Sequence, residues 1–510
     1  MEYIFYINSA IGILLCLKLS KTKWPNWLGS PLLLLGLLVT HDLGVGPLAN
    51  IWFDIPFSSF IYTKATFSER IPAIFLIFLT YFTIVSGMIF SKMAWPNKSV
   101  FYEEKGNSQI YTQFQISNGW TVSVLFFWIG FIANILVIAY LLPGRSLLGI
   151  MSERAVYSDL EVLSATEFHY FRLLSVLMQI GALSMMYFSN GKSWRLKIAI
   201  TGMVLFIFFQ AIYGGRARVI FSVIMMVMAY HYGFKSIKFS QLIKFILLGV
   251  SFLLFISFVR FGVGSVSEGL YSLLARILMS HRLDQTALVY YYFPNFVPYT
   301  GAINILGSII RFLPAISIPG TSNMWMAIVN TFYYGNNPFG GIGGENYATA
   351  AELYSWNGYW VVILFSFTIG VLFGIVFEWQ RRNRNNWFVK LLTIYVWITL
   401  FSTESRLADS FGSIIYIFVP IALMASFVNK SKYSKLLQFW LYFEMVAILS
   451  YYSFRDTGMT FLVFNFGMLK YAIIGSLPII YFLSLSVLIN SGPLKLKSYD
   501  NKKIAEMNTL

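Results

Sequence analysis

Thirteen apolar runs punctuate this chain, near residues 3–18, 27–46, 71–91, 120–142, 171–189, 197–214, 218–234, 241–263, 360–378, 387–403, 411–428, 438–453 and 461–490. A helix needs about 20 mostly apolar residues to cross a bilayer, and most of these runs meet that length. In hydrocarbon the backbone must satisfy its own polar groups, so such runs are helices. They predict an all-α, polytopic transmembrane bundle of about 12–14 spanning helices, the first run being short and the last long enough for one tilted helix or a broken pair. Only 11% of the 510 residues are charged, against about 25% in a soluble protein. That is too little charge to cover a water-soluble globule. The expected division is 1–264 for the N-terminal spanning helices, 265–359 for a large outer loop, 360–490 for the C-terminal spanning helices and 491–510 for a basic tail. Met1 and Glu2 precede a short apolar run with no Ala-x-Ala cleavage pattern, which predicts a retained first helix. Cys16, alone in an apolar run, gives no disulfide framework and no thiolate metal site.

The formal net charge is +16. It is scattered over short loops, which fits anionic lipid headgroups and argues against a nucleic-acid partner. One alternate set of loops is lysine-rich, with Arg195, Arg381, Arg382 and Arg384 as its only arginines: Lys18, Lys21 and Lys23; Lys92, Lys98 and Lys105; Lys192, Arg195 and Lys197; Lys235, Lys238 and Lys244; Arg381, Arg382, Arg384 and Lys390; Lys430, Lys432 and Lys435; Lys495, Lys497, Lys502 and Lys503. By the positive-inside rule these loops are cytoplasmic, with the N-terminus outside and the C-terminus inside. Trp24, Trp27, Trp95, Trp120, Trp379 and Trp387 sit at run edges, as an interfacial aromatic belt requires. The opposite loops carry arginines instead, among them Arg70, Arg145, Arg154, Arg172, Arg216, Arg218, Arg260, Arg276, Arg282, Arg311, Arg406 and Arg455. Orientation needs only charge. A planar guanidinium fork adds bidentate binding of phosphate or carboxylate oxygens. Some of these arginines have an acid nearby in sequence, as Arg154 has Glu153 and Asp159, and local ion pairing is the plain alternative. Arg216, Arg218 and Arg260 have no such neighbour.

Four segments carry candidate chemistry. Gly214-Gly215-Arg216-Ala217-Arg218 joins two apolar runs; its glycines permit a tight turn, and in an extended turn its two arginines would converge on one anion such as a pyrophosphate. Snorkelling to headgroups is the alternative. Arg260 ends a run and is followed by Arg276 and by His281-Arg282-Leu283-Asp284, whose His281 and Asp284 share a helix face at i, i+3. That spacing makes either a histidine oriented by a carboxylate or a surface ion cluster; His41, His169 and His231 are isolated and read as structural. Gly340-Gly341-Ile342-Gly343-Gly344-Glu345-Asn346-Tyr347 leads through Glu352 to Asn357-Gly358-Tyr359-Trp360 at a helix entrance. There Glu345 can take a proton from a sugar hydroxyl, while Tyr347, Tyr354 and Trp356 offer flat faces for sugar stacking. Glu404-Ser405-Arg406, with Asp409, makes a short loop that is either a salt bridge or the mouth of a cavity. The 265–359 segment as a whole, with helical periodicity over 270–288 and then many aromatic, Gly and Pro residues, predicts short amphipathic helices on the membrane surface. No HExxH, CxxC, DxD or Walker pattern is present, which is compatible with metal-free, cofactor-free chemistry on lipid phosphates.

The Gly-Gly-Arg-Ala-Arg turn, the large outer loop and the Gly-rich segment with Glu345 before an Asn-Gly-aromatic helix entrance resemble the O-antigen polymerase family, over roughly 200–380. The resemblance implies a glycosyltransferase of the bacterial inner (plasma) membrane. Such enzymes join undecaprenyl-pyrophosphate-linked oligosaccharide repeat units at the outer face, alongside a chain-length regulator and a flippase. It further implies that Arg216, Arg218 and Arg260 hold the donor pyrophosphate, with Arg276 and Arg282 serving the second pyrophosphate or the glycan; Arg406, in its short loop, is a further candidate for substrate or pyrophosphate binding. Glu345 or His281 would then deprotonate the acceptor hydroxyl. A lipid-linked oligosaccharide flippase and an outer-face ligase of the O-antigen type are the rival readings.

Overall fold

The computed structural model describes residues 6–12, 14, 40–48, 67–94, 113–141, 171, 174–190, 192–213, 216–233, 237, 244, 247, 249, 251, 282–295, 298, 299, 301, 349–382, 386–401, 407–429, 431–457 and 466–490, at some helix positions as backbone alone. Among them every regular element is helical. A π-helical turn, His41–Val45, precedes α1 (Phe67–Ala94), α2 (Gln113–Leu141), α3 (Val176–Phe188), α4 (Ser193–Ile212) and α5 (Arg216–Gly233). Then follow α6 (Arg282–Tyr292), α7 (Thr349–Arg382), α8 (Trp387–Phe401), α9 (Leu407–Val428), α10 (Lys432–Thr457) and α11 (Phe466–Asn490). Four segments, Arg70–Ser91, Phe114–Leu141, Ser193–Ile212 and Thr349–Val376, are long and apolar enough to cross a membrane.

The surface of these helices is what a membrane-embedded protein needs. On α1, Ile71, Phe75, Phe78, Phe82, Ile89 and Phe90 are each more than half exposed. Their spacing of mostly three and four residues makes one apolar stripe. In water such a patch would be an aggregation surface, whereas acyl chains accept it. The aromatic belt meets a cation at Arg195, whose guanidinium lies 4.8 Å from the Trp120 ring centre and 5.4 Å from that of Trp194. A cation over indole faces is stabilised while both stay at the interfacial level.

Between helices the driving force is close packing, because lipid offers no hydrophobic penalty to escape. Helices α1 and α7 meet through small residues. A Cβ on Gly370 would lie 2.0 Å from the Ile84 carbonyl oxygen, and one on Gly87 2.2 Å from that of Phe367. Helices α2 and α3 do the same at Gly130, where a Cβ would fall 2.0 Å from the Met178 nitrogen. Buried side-chain hydrogen bonds tie other helices together. Gln115 Nε2 donates to Asn429 Oδ1 at 2.8 Å, linking α2 to the end of α9. Tyr187 stacks on Trp387 at 4.5 Å, joining α3 to α8.

Three helix starts differ clearly from the sequence expectation. Helix α7 begins at Thr349, inside the segment expected to be loop, α2 begins at Gln113 rather than near 120, and α10 begins at Lys432 rather than near 438. In each case helix-forming residues of mixed polarity extend the element past the apolar run, which hydropathy alone does not mark.

Candidate functional site

Helix α7 has a break in it. Asn357 takes φ −170° and ψ 45°, and Gly358 φ 70° and ψ −155°. The positive φ is a conformation glycine adopts without penalty, and a Cβ there would come within 2.9 Å of the Tyr299 hydroxyl. The break separates a buried two-turn segment, 349–356, from the long apolar helix that follows. Its freed groups are partly satisfied: the Gly301 N–H donates to the Trp356 carbonyl at 3.1 Å. Irregular backbone at such a place is tolerated only where protein or a water-lined cavity surrounds it.

Around the break four tyrosines converge. The Tyr354 ring centre is 5.4 Å from Tyr290 on α6, 6.1 Å from Tyr299 and 5.4 Å from Tyr359. Phe75 on α1 lies 6.2 Å from Tyr359. Tyr354 and Trp356, expected to present flat faces to a sugar, are therefore enclosed: Tyr354 is 5% exposed among other tyrosines, and Trp356 is 1% exposed with its edge against Phe365. The aromatic ring that is open at this end of α7 is Trp360, 82% exposed.

The π-helical turn packs against α6 at the same place. Its Asp42 is fully buried and accepts a hydrogen bond from the Tyr81 hydroxyl of α1. The other carboxylate oxygen lies 2.9 Å from His41 Nδ1, and the His41 side chain is 30% exposed. An imidazole reaching the surface and oriented by a buried carboxylate is a proton acceptor held in a fixed tautomer. The sequence suggested such a pair at His281 and Asp284, and His281 lies outside the described residues; among the described residues His41 and Asp42 form one. Single-turn π geometry often marks functional positions.

Arg216 is the first residue of α5 and Arg218 lies in the same first turn. The extended turn that would aim both at one anion is absent, since residues two apart on a helix do not face each other. What the site offers instead is a helix N-terminus, whose free N–H groups favour an anion, with two arginine positions around it. Buried polar contacts anchor this junction. Tyr213, at the end of α4, donates to Asn134 Oδ1 on α2 at 2.9 Å. Ser222, one turn beyond Arg218, accepts from Gln179 Nε2 at 3.3 Å, and Gln179 Oε1 accepts from Tyr395 on α8 at 2.9 Å. These contacts tie five helices, α2, α3, α4, α5 and α8, together near the start of α5.

Arg282 opens α6, described there as backbone. Glu345, His281, Arg260, Arg276, Arg406 and Tyr347 lie outside the described residues. Among the described residues no group of three or more His, Cys, Asp or Glu side chains is placed to hold a metal ion. Sequence reasoning missed Asp42 and Glu444, although both carry a usable signal: an acid inside an apolar run is rare and is a functional-site hypothesis by default. No family model, curated protein or solved structure matches the chain.

Proposed function

We propose that the chain is a polytopic membrane glycosyltransferase of about 12–14 spanning helices. It polymerises undecaprenyl-pyrophosphate-linked oligosaccharide repeat units into a surface polysaccharide at the outer face of the inner membrane. The observation that carries this reading is the bias of arginine to one set of loops, where Lys64 is the only lysine, and of lysine to the other, with Arg216 and Arg218 opening a helix after two glycines. Guanidinium groups at a helix N-terminus suit a pyrophosphate, and there they stabilise the charge that develops on a departing phosphate.

In the reaction the glycosidic C1–O bond to the donor pyrophosphate breaks and a new C1–O bond forms to an acceptor hydroxyl. The hydroxyl proton passes to a base, and undecaprenyl pyrophosphate leaves. Glu345 and His281 remain candidate bases from the sequence. His41, backed by Asp42, joins them on geometry. Arg260 joins Arg216 and Arg218 on the donor pyrophosphate, Arg276 and Arg282 serve the second lipid pyrophosphate or the glycan, and Arg406 is a further substrate-binding position.

Cells lacking this chain are expected to keep single lipid-linked repeat units on the outer leaflet and to lose all longer glycans, as read from a glycan ladder with leaflet-specific labelling. Accumulation of those units on the inner leaflet would assign the chain to flipping instead. Long glycan retained on the lipid carrier would assign it to ligation.

A further inference from the structure

Helices α10 and α11 form a hairpin with an acid at its centre. Glu444 is the thirteenth residue of α10, about 18 Å from either end at 1.5 Å per residue. Around it Phe439, Tyr442, Phe443, Met445, Val446 and Leu449 are exposed and face outward as an apolar surface. Glu444 faces the other way and is 5% exposed. Its Oε1 is buried without a hydrogen-bond partner, while Oε2 is within hydrogen-bond distance of Ser476 Oγ on α11.

The count of hydrogens at this contact decides its chemistry. Ser476 has one hydroxyl hydrogen, and its Oγ also lies 2.8 Å from the Ile473 carbonyl, an acceptor with no proton to give. A helical serine commonly donates back to such a carbonyl. With the hydrogen used there, the contact between Ser476 and Glu444 is a hydrogen bond only if the carboxyl supplies the proton. The chain then runs from Glu444 O–H to Ser476 Oγ, and from Ser476 O–H to the Ile473 carbonyl. No cation among the described side chains of the helices packed on α10 offers an alternative. Tyr481 on α11 is the one other titratable group there, close enough to interact with Glu444, and the described side chains of α9 include none. On α10 itself Lys435 is nine residues away, and Tyr442 points outward, 64% exposed. A buried carboxylate with an orphaned oxygen and no counter-ion among the described side chains is far costlier than the neutral acid.

We propose that Glu444 and Ser476 form a proton-binding site within the membrane, in which Glu444 is a carboxylic acid donating to Ser476. The site lies on helices that carry none of the residues assigned above to the polymerase reaction, and it stands whether or not that reading holds. A protonated acid in an apolar setting adds across the C=N bond of dicyclohexylcarbodiimide: the carboxyl oxygen bonds to the central carbon, its proton moves to nitrogen, and an O-acylisourea forms. The test uses the full chain in lipid nanodiscs at pH 7, where a glutamate in water is about 99% ionised, with peptide mass spectrometry as the readout. An adduct is expected at Glu444 with the apolar reagent and at least ~10-fold less with a water-soluble carbodiimide. Glu444→Gln, an uncharged near-isostere of the acid, should fold normally and lose the adduct. Ser476→Ala removes the acceptor of the proton and should lower the pH to which labelling persists. Absence of the adduct in folded protein, or equal labelling by the water-soluble reagent, would overturn the proposal. An unmoved pH profile in Ser476→Ala would remove the serine from the site.

Discussion

Gly370→Leu is expected to lower the stability of the chain by about 3 kcal/mol, the upper part of the usual range for overpacking, and to loosen α1 from α7. A Cβ at this position lands 2.0 Å from the Ile84 carbonyl oxygen and 2.8 Å from its carbon. The obstacle is backbone, so no side-chain rotation relieves it. The same helix pair is pinched at Gly87 and at Gly374, where a Cβ would meet Ser91 Oγ at 1.8 Å, and one helix cannot withdraw at a single point. The consequence reaches beyond stability, because α1 and α7 carry Tyr81, Tyr354 and Tyr359 and so position the α6 side of the site. Gly475→Ala is the control. It lies in α11 with nothing within 4 Å of its added Cβ, and it should leave stability unchanged or raise it. Reversible unfolding in mixed detergent micelles separates the two variants. A Gly370→Leu protein as stable as the parent would show that the α1–α7 contact is not closely packed.

Arg216→Ala is expected to reduce polymer formation by about 100-fold or more, the usual loss when one donor to a developing negative charge is removed. Arg216→Lys is the finer comparison. It keeps the charge and loses the fork, so it should remain about 10-fold below the parent, the effect of roughly one charged hydrogen bond. The readout is the length distribution of lipid-linked glycan in cells expressing each variant at equal membrane abundance. Full activity in Arg216→Lys would mean that charge alone suffices and that bidentate binding plays no part. Full activity in Arg216→Ala would remove this junction from the site.

Local features of this protein were legible in the sequence, and pairings across the chain were not. An apolar run is written into consecutive residues, so α2, α4, α8 and α9 coincide with runs to within a few residues, apart from the early start of α2 at Gln113. Asn357-Gly358 marks a helix entrance because few other residue pairs adopt that backbone, and the break is there. The buried segment before it was not legible, since Glu352 and Ser355 interrupt the hydropathy signal while their helix packs inside the protein. His41 and Asp42 are adjacent, and on an ordinary helix neighbours diverge. Their contact depends on a π-helical turn that no spacing rule announces. Contacts such as Gln115 with Asn429, 314 residues apart, belong to tertiary packing alone. Asp42 and Glu444 sit within apolar runs, where arginine patterning carries no information and only the presence of an acid marks the position.

A polymerase of the kind proposed lengthens lipid-linked glycans with no other protein present. The most direct measurement places the purified protein in a bilayer with lipid-linked repeat units extracted from cells that make them, and follows glycan length over time. The expected result is a ladder of progressively longer lipid-linked products, with one undecaprenyl pyrophosphate released for every unit joined. Repeat units that cross from one leaflet to the other without growing, or that stay single while the protein remains folded, would contradict it.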